Sequence, residues 1–147
     1  MSRKIGRLFL IIIVFGMIVF LLLQLIPFGK DHTNPPVMSE PNWDSPQTRE
    51  LAKRACFDCH SNETVWTWYS NIAPTSWLIY NDVVQARDEF NFSDWQNAPL
   101  QDAEEIDEVI NEGEMPLPQY LLLHPDARLT QSEKQGLING LITTISR

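Results

Sequence analysis

From Leu8 to Leu23 the chain has no charged or polar side chain, and only Gln24 interrupts the run before Leu25, Ile26, Pro27 and Phe28. As a helix, residues 8–28 would reach about 31 Å, the thickness of a bilayer hydrocarbon core. Arg3, Lys4 and Arg7 precede the run, which places the N-terminus in the cytoplasm and the rest of the chain outside. A cleaved signal peptide is the competing reading. It calls for a shorter apolar core and a small-x-small exit, whereas the exit here is Gln24-Leu25-Ile26-Pro27-Phe28-Gly29-Lys30. Residues 1–30 are therefore read as an uncleaved anchor.

Charge divides the chain at the same place. Residues 1–30 hold four basic side chains and no acidic one, while residues 31–147 hold nineteen acidic and seven basic, a net charge of −12 with histidine neutral. Such a surface repels nucleic acid and keeps a domain soluble. It would also steer a basic protein partner. Residues 31–44 carry Pro35, Pro36 and Pro41 with no helical period and read as a Pro-rich linker.

Residues 45–147 are one small domain. Ser45-Pro46 is an N-cap followed by proline in the first turn, and the helix it opens should end near Ala55 and deliver Cys56. A second helix should start at Pro74 with Trp77, Leu78, Val83 and Val84 on one side. A short turn should open at Ser93-Asp94-Trp95. An acidic helix over 101–112 should bury Ile106, Val109 and Ile110 and stop at Gly113. Thr130-Gln131-Ser132-Glu133 is a capping box for a last helix through Leu137, Ile138, Leu141, Ile142 and Ile145. No alternating strand pattern survives, so the class is all-α.

The chemistry lies in Cys56-Phe57-Asp58-Cys59-His60. This is the C-x-x-C-H pattern of covalent c-type haem attachment. Two thiols add to the two vinyl groups of one porphyrin, and the histidine that follows supplies the proximal axial ligand. Both cysteines of the chain are used. A redox dithiol needs a preceding strand, which this sequence lacks. Zinc would have to recruit His60 and a distant His32 or His124. A plain disulfide needs nothing more than the pair.

For the second axial ligand the candidates are Met115 and His124, with His32 and Met38 in the linker. Met115 stands in Gly113-Glu114-Met115-Pro116-Leu117-Pro118, where two prolines can hold a thioether in place. It is the first choice, with His124 the alternative and an open, five-coordinate iron the third case. The tryptophans 43, 66, 68, 77 and 95 are core residues, some of them candidate neighbours of the porphyrin. No Ser-His-Asp set, phosphate-binding glycine loop or carboxylate pair is present, and Asp102 to Glu108 reads as a solvated helix face.

The stretches Asp31-His32-Thr33-Asn34-Pro35-Pro36-Val37, Trp43-Asp44-Ser45-Pro46, Ala55 to Thr64, Trp68-Tyr69-Ser70, Ile72-Ala73-Pro74, Gly113 to Pro116 and Leu122-Leu123-His124-Pro125 resemble the bacterial haem-binding domain family of small membrane-anchored proteins. Thr67 departs from that pattern, which has proline there. The resemblance implies a cytochrome c-like helical fold, one covalent haem c on Cys56 and Cys59, and His60 on the iron.

Together these readings give a c-type haem protein on the bacterial inner membrane, its domain in the periplasm, exchanging one electron at a time with a redox partner protein. The alternative is a haem-based sensor or a small catalytic haem protein with an open or displaceable distal site. The His60 Nδ1–H should donate to a backbone carbonyl, Pro74 being the candidate.

Overall fold

The computed structural model describes residues 3–99 and 101–147, and among them every regular element is helical. The seven α-helices are α1 (Arg3–Leu23), α2 (Pro46–Ala55), α3 (Phe57–His60), α4 (Thr75–Glu89), α5 (Ala103–Asn111), α6 (Pro118–Leu123) and α7 (Gln131–Ile145). Tight 3₁₀ turns occupy Trp68–Asn71, Trp95–Asn97 and Pro125–Ala127. The chain divides into two compact units. One joins the N-terminal segment through Thr33 to Trp66–Asp82, and the other joins Asn34–Val65 to Val83–Arg147.

In the first unit, α1 is long and apolar enough to cross a membrane. The chain leaving it is tied to the second segment of the same unit. The Gln24 side-chain amide donates to the Ala73 carbonyl and accepts from the Ala73 N–H, both at 2.9 Å. Lys30 Nζ donates to the Gln24 carbonyl. Further along, Phe28 meets Tyr80 edge to face at 5.5 Å, and His32 stacks on Trp66 at 4.3 Å.

The second unit is built on α2, α5 and α7. Leu51, Ala52, Phe57, Phe92, Ile110, Leu137, Ile138 and Leu141 form its buried core, with Trp43, Phe90, Trp95, Ile106 and Val109 packed around it. Removing an aromatic ring or a leucine of this kind from water stabilises the fold by about 2–3 kcal/mol each. The caps are those the sequence predicts. Ser45 Oγ accepts from the Thr48 N–H at 3.2 Å, and Thr130 and Glu133 close a complete capping box. Gly113 leaves α5 with φ +79°. Helices α2 and α7 touch where Gly140 faces Thr48, and a Cβ at Gly140 would lie 2.1 Å from Thr48 Oγ1. Only glycine permits that approach.

One expectation needs correction. On α4, Val83 is buried but Leu78 is 67 % exposed and Val84 faces outward. The buried positions are Ser76, Val83 and Ala86, which recur at seven and ten residues on one helical face, with Leu78 turned about half a revolution away. The short helix α6 and the turn Pro125–Ala127 were not in the pattern, because six residues with one apolar run show no period. The short turn expected at Ser93-Asp94-Trp95 is present, spanning Trp95–Asn97 with Asp94 at its N-cap. Ser93 itself is a junction, its carbonyl accepting from the Met38 and Ser39 N–H groups and its hydroxyl from the Asn62 N–H.

Residues 31–44 contain no helix or strand. Their last part is fastened within the second unit. Glu40 pairs with Arg49 at 2.6 Å and accepts from Trp43 Nε1 at 2.8 Å, and the Trp43 ring lies 5.1 Å from Phe92.

Candidate functional site

Helix α2 ends because Cys56 leaves helical geometry, with φ −123°, while its N–H still donates to the Ala52 carbonyl at 2.8 Å. The single turn of α3 follows. The Cys56 carbonyl accepts from both the Cys59 N–H (3.1 Å) and the His60 N–H (2.8 Å). Cys56 and Cys59 are three residues apart on this turn, a spacing that places side chains on one face. Neither Cys56 nor Cys59 is in a disulfide. Burial, and then the nearby Cys59, push the Cys56 thiol up to about 12.

His60 is 9 % exposed. Its ring stacks on Phe90 at 4.1 Å with the planes 12° apart. Its Nδ1 lies 3.3 Å from the Phe90 carbonyl oxygen. This corrects the expectation of Pro74: the carbonyl at His60 Nδ1 comes from the chain leaving α4. The reason is visible in the backbone, since the Phe92 N–H donates to the His60 carbonyl at 2.8 Å and carries Phe90 alongside the imidazole. Burial lowers the His60 pKa, against a smaller opposing pull from the Phe90 and Ala86 carbonyls. The imidazole is thereby kept neutral, the form that can ligate a metal.

The residues after the motif are clamped. Ser61, Asn62 and Thr64 are buried. Arg87 Nε donates to the Ser61 carbonyl at 2.8 Å, and its Nη2 donates to Thr64 Oγ1 at 2.8 Å and Asn34 Oδ1 at 3.0 Å. Asn62 donates to the Pro36 carbonyl and accepts from Asn91 Nδ2. This network holds the C-terminal end of α3 in place.

Asp58, between the two cysteines, accepts from Tyr120 Oη at 2.8 Å and from the Val65 N–H at 3.0 Å. The Tyr120 ring stacks on His124 at 3.9 Å, and His124 Nδ1 lies 2.9 Å from the Tyr120 carbonyl. Burial and the hydrogen bond to Asp58 hold the Tyr120 phenol above its ordinary range. The fold thus brings His124 to the C-x-x-C turn through Tyr120. Met115 stands between α5 and α6, its N–H donating to the Val109 carbonyl at 2.9 Å and its side chain partly exposed. His32 is stacked on Trp66 in the first unit, and Met38 is 70 % exposed. Sequence reasoning missed Phe90, Tyr120 and Arg87. Only Tyr120 carried a local signal, standing four residues before His124 on one helical face.

Among the described residues no group of three or more His, Cys, Asp or Glu side chains is placed to hold a bare metal ion, so the zinc reading finds no ligand set. Two cysteines on one turn, not joined by a disulfide, followed by a buried neutral imidazole braced at Nδ1, make instead a donor set suited to a metalloporphyrin. The helical fold and this site define a small haem-binding module.

A family model described as a haem-binding domain matches residues 18–143. The chain belongs to this haem-binding domain family. Searches of curated proteins and of solved structures return no match.

Proposed function

We propose that the protein is a membrane-anchored c-type haem protein that carries single electrons on the outer side of a bacterial inner membrane. The observation that carries this reading is the Cys56-x-x-Cys59-His60 turn, with His60 buried, neutral and braced by the Phe90 carbonyl. Haem, when bound, supplies a one-electron couple at iron. The chain's own residues do the rest. Cys56 and Cys59 hold the porphyrin through thioethers. With Nδ1 committed to Phe90, Nε2 of His60 is the nitrogen left to ligate, and the stacked Phe90 ring fixes its plane. Burial of His60 limits solvent access to the ligating nitrogen, which suits electron transfer. The acidic exported surface favours a basic redox partner protein.

Met115 is the proposed second ligand, from a loop stiffened by prolines on both sides of Leu117. His124 is the second reading, favoured by its Nδ1 contact with the Tyr120 carbonyl, since that contact is also how a ligating histidine is oriented.

The test is covalent attachment. Protein made with cytochrome c maturation machinery should keep haem on a denaturing gel, and Cys56→Ala or Cys59→Ala should weaken or abolish the stain. Wild-type protein that carries no gel-stable haem would overturn the reading.

A further inference from the structure

Residues 66–81, between Glu63 and Asp82, hold no charged side chain, although the chain outside residues 1–30 carries a net charge of −12. The same stretch holds Trp66, Trp68 and Trp77 with Tyr69 and Tyr80. It belongs to one compact unit with α1. Gln24 is the first residue beyond α1, and its amide grips the Ala73 backbone with two hydrogen bonds. Ala73 is therefore held within about a helical turn of the end of the apolar span. Gly29 adopts φ +73° and presses on the first turn of α4, where a Cβ would sit 2.6 Å from the Ser76 carbonyl. With Phe28 on Tyr80 and His32 on Trp66, the chain leaving the span runs alongside residues 66–80.

We infer that this segment rests in the interfacial layer of the bilayer on the side where α1 ends, with Trp68 and Leu78 joining Leu25 and Phe28 among the lipid headgroups. These four side chains are 76, 67, 78 and 52 % exposed, a pattern costly in water and favourable in that layer. Indole and phenol rings concentrate at that depth. Lys30, the first charge after the span, donates to the Gln24 carbonyl at the C-terminal end of α1, where a cation meets both the helix dipole and lipid phosphate. The bilayer is favoured over a soluble partner by continuity. Leu25 and Phe28 follow directly on the span, and Gln24 fixes Ala73 to the same level. The inference rests on α1 being retained as an anchor, and it does not depend on haem attachment.

The experiment uses haem-loaded full-length protein in vesicles of phosphatidylcholine and phosphatidylglycerol. Single cysteines replace Trp68, Leu78, Phe15 or Gln135 and carry a nitroxide, and relative accessibility to oxygen and to a water-soluble nickel chelate gives depth. Labels at Trp68→Cys and Leu78→Cys should favour oxygen several-fold over the label at Gln135→Cys, an exposed site on α7, though less than the label at Phe15→Cys in the span. Gln24→Ala should shift the Trp68→Cys label towards water and leave the Phe15→Cys label unmoved. Labels at 68 and 78 as wet as the one at 135, with 15 still in lipid, would overturn the inference and leave the anchor standing. Spin–spin broadening at 68 that disappears on dilution with lipid would also overturn it, in favour of a second copy of the chain. A wet label at 15 would overturn both anchor and inference. Uptake of label by unsubstituted protein would count against covalent haem alone.

Discussion

Tyr120 donates its phenolic hydrogen to Asp58, sixty-two residues earlier in the chain, at 2.8 Å. A residue inside the C-x-x-C turn thus anchors α6, and α6 leads directly to His124. Tyr120→Phe keeps the ring on His124 and removes only the hydroxyl. A hydrogen bond to a charged acceptor contributes about 1.5–3 kcal/mol, so the variant should lose stability on the order of 1–2 kcal/mol. Amide exchange should quicken in residues 118–127 more than in α7. Unchanged exchange in α6 would show that the helix is held by other contacts.

The distal ligand divides carrier from sensor. With Met115 on iron, the ferric protein should show the weak sulfur-to-iron band at the red end of the visible spectrum. Met115→Ala should abolish it, open the iron to carbon monoxide or cyanide, and lower the potential, because a thioether favours ferrous iron. His124→Ala should then leave the spectrum nearly unchanged. The reverse pattern would assign bis-histidine ligation. If both variants are silent and the wild type binds carbon monoxide freely, the iron is five-coordinate and the sensor or catalytic reading moves ahead.

Gly140→Ala should destabilise the second unit. The new methyl meets the Thr48 side chain well inside contact distance, and overpacking of this sort costs about 1–3 kcal/mol, more than the roughly 1 kcal/mol that alanine gains over glycine in a helix. Urea denaturation would measure the loss. Thr48→Ala in the same chain should restore much of it, since the obstruction is the Thr48 side chain. A Gly140→Ala protein as stable as the wild type would mean that α2 and α7 can separate without cost.

Glu133 accepts from the Thr130 N–H and hydroxyl and from Arg54. These contacts, the backbone one first, hold its pKa down at about 2, from an ordinary value of 4.5. Because the folded value lies below the unfolded one, the stabilisation is fully present above pH 4.5 and fades as the pH falls towards 2. Glu133→Gln should therefore flatten the decline in stability over that interval while changing the capping box little, since glutamine also serves at this position. Equal slopes for the two proteins in urea titrations at several pH values would refute the assignment.

What could be read in the sequence was local. Ser45 with Pro46, Thr130 with Glu133, and the Cys56-x-x-Cys59-His60 motif each announce themselves within five residues, because a cap, a box or a C-x-x-C-H turn is made by near neighbours. The apolar length of α1 was equally plain. What could not be read was the partner of each local feature. Nothing near His60 indicates that Phe90 will cover it, and nothing near Asp58 points to Tyr120, because both pairings follow from how α4 and α6 return to the motif. Leu78 was misplaced for a related reason. Its helix has apolar residues around most of its circumference, so periodicity alone could not choose the buried face.

The paired hydrogen bonds between Gln24 and Ala73 bear on how such a protein should be produced. The usual recipe for a single-span protein deletes the hydrophobic helix and secretes the remainder. Cutting here after Thr33 would take away one of the two segments that make up the first unit and leave Trp66–Asp82 with its tryptophans bare. Preparations in detergent or nanodiscs with the helix intact should keep that segment folded, whereas the shortened polypeptide should clump through its indoles whether or not it carries haem.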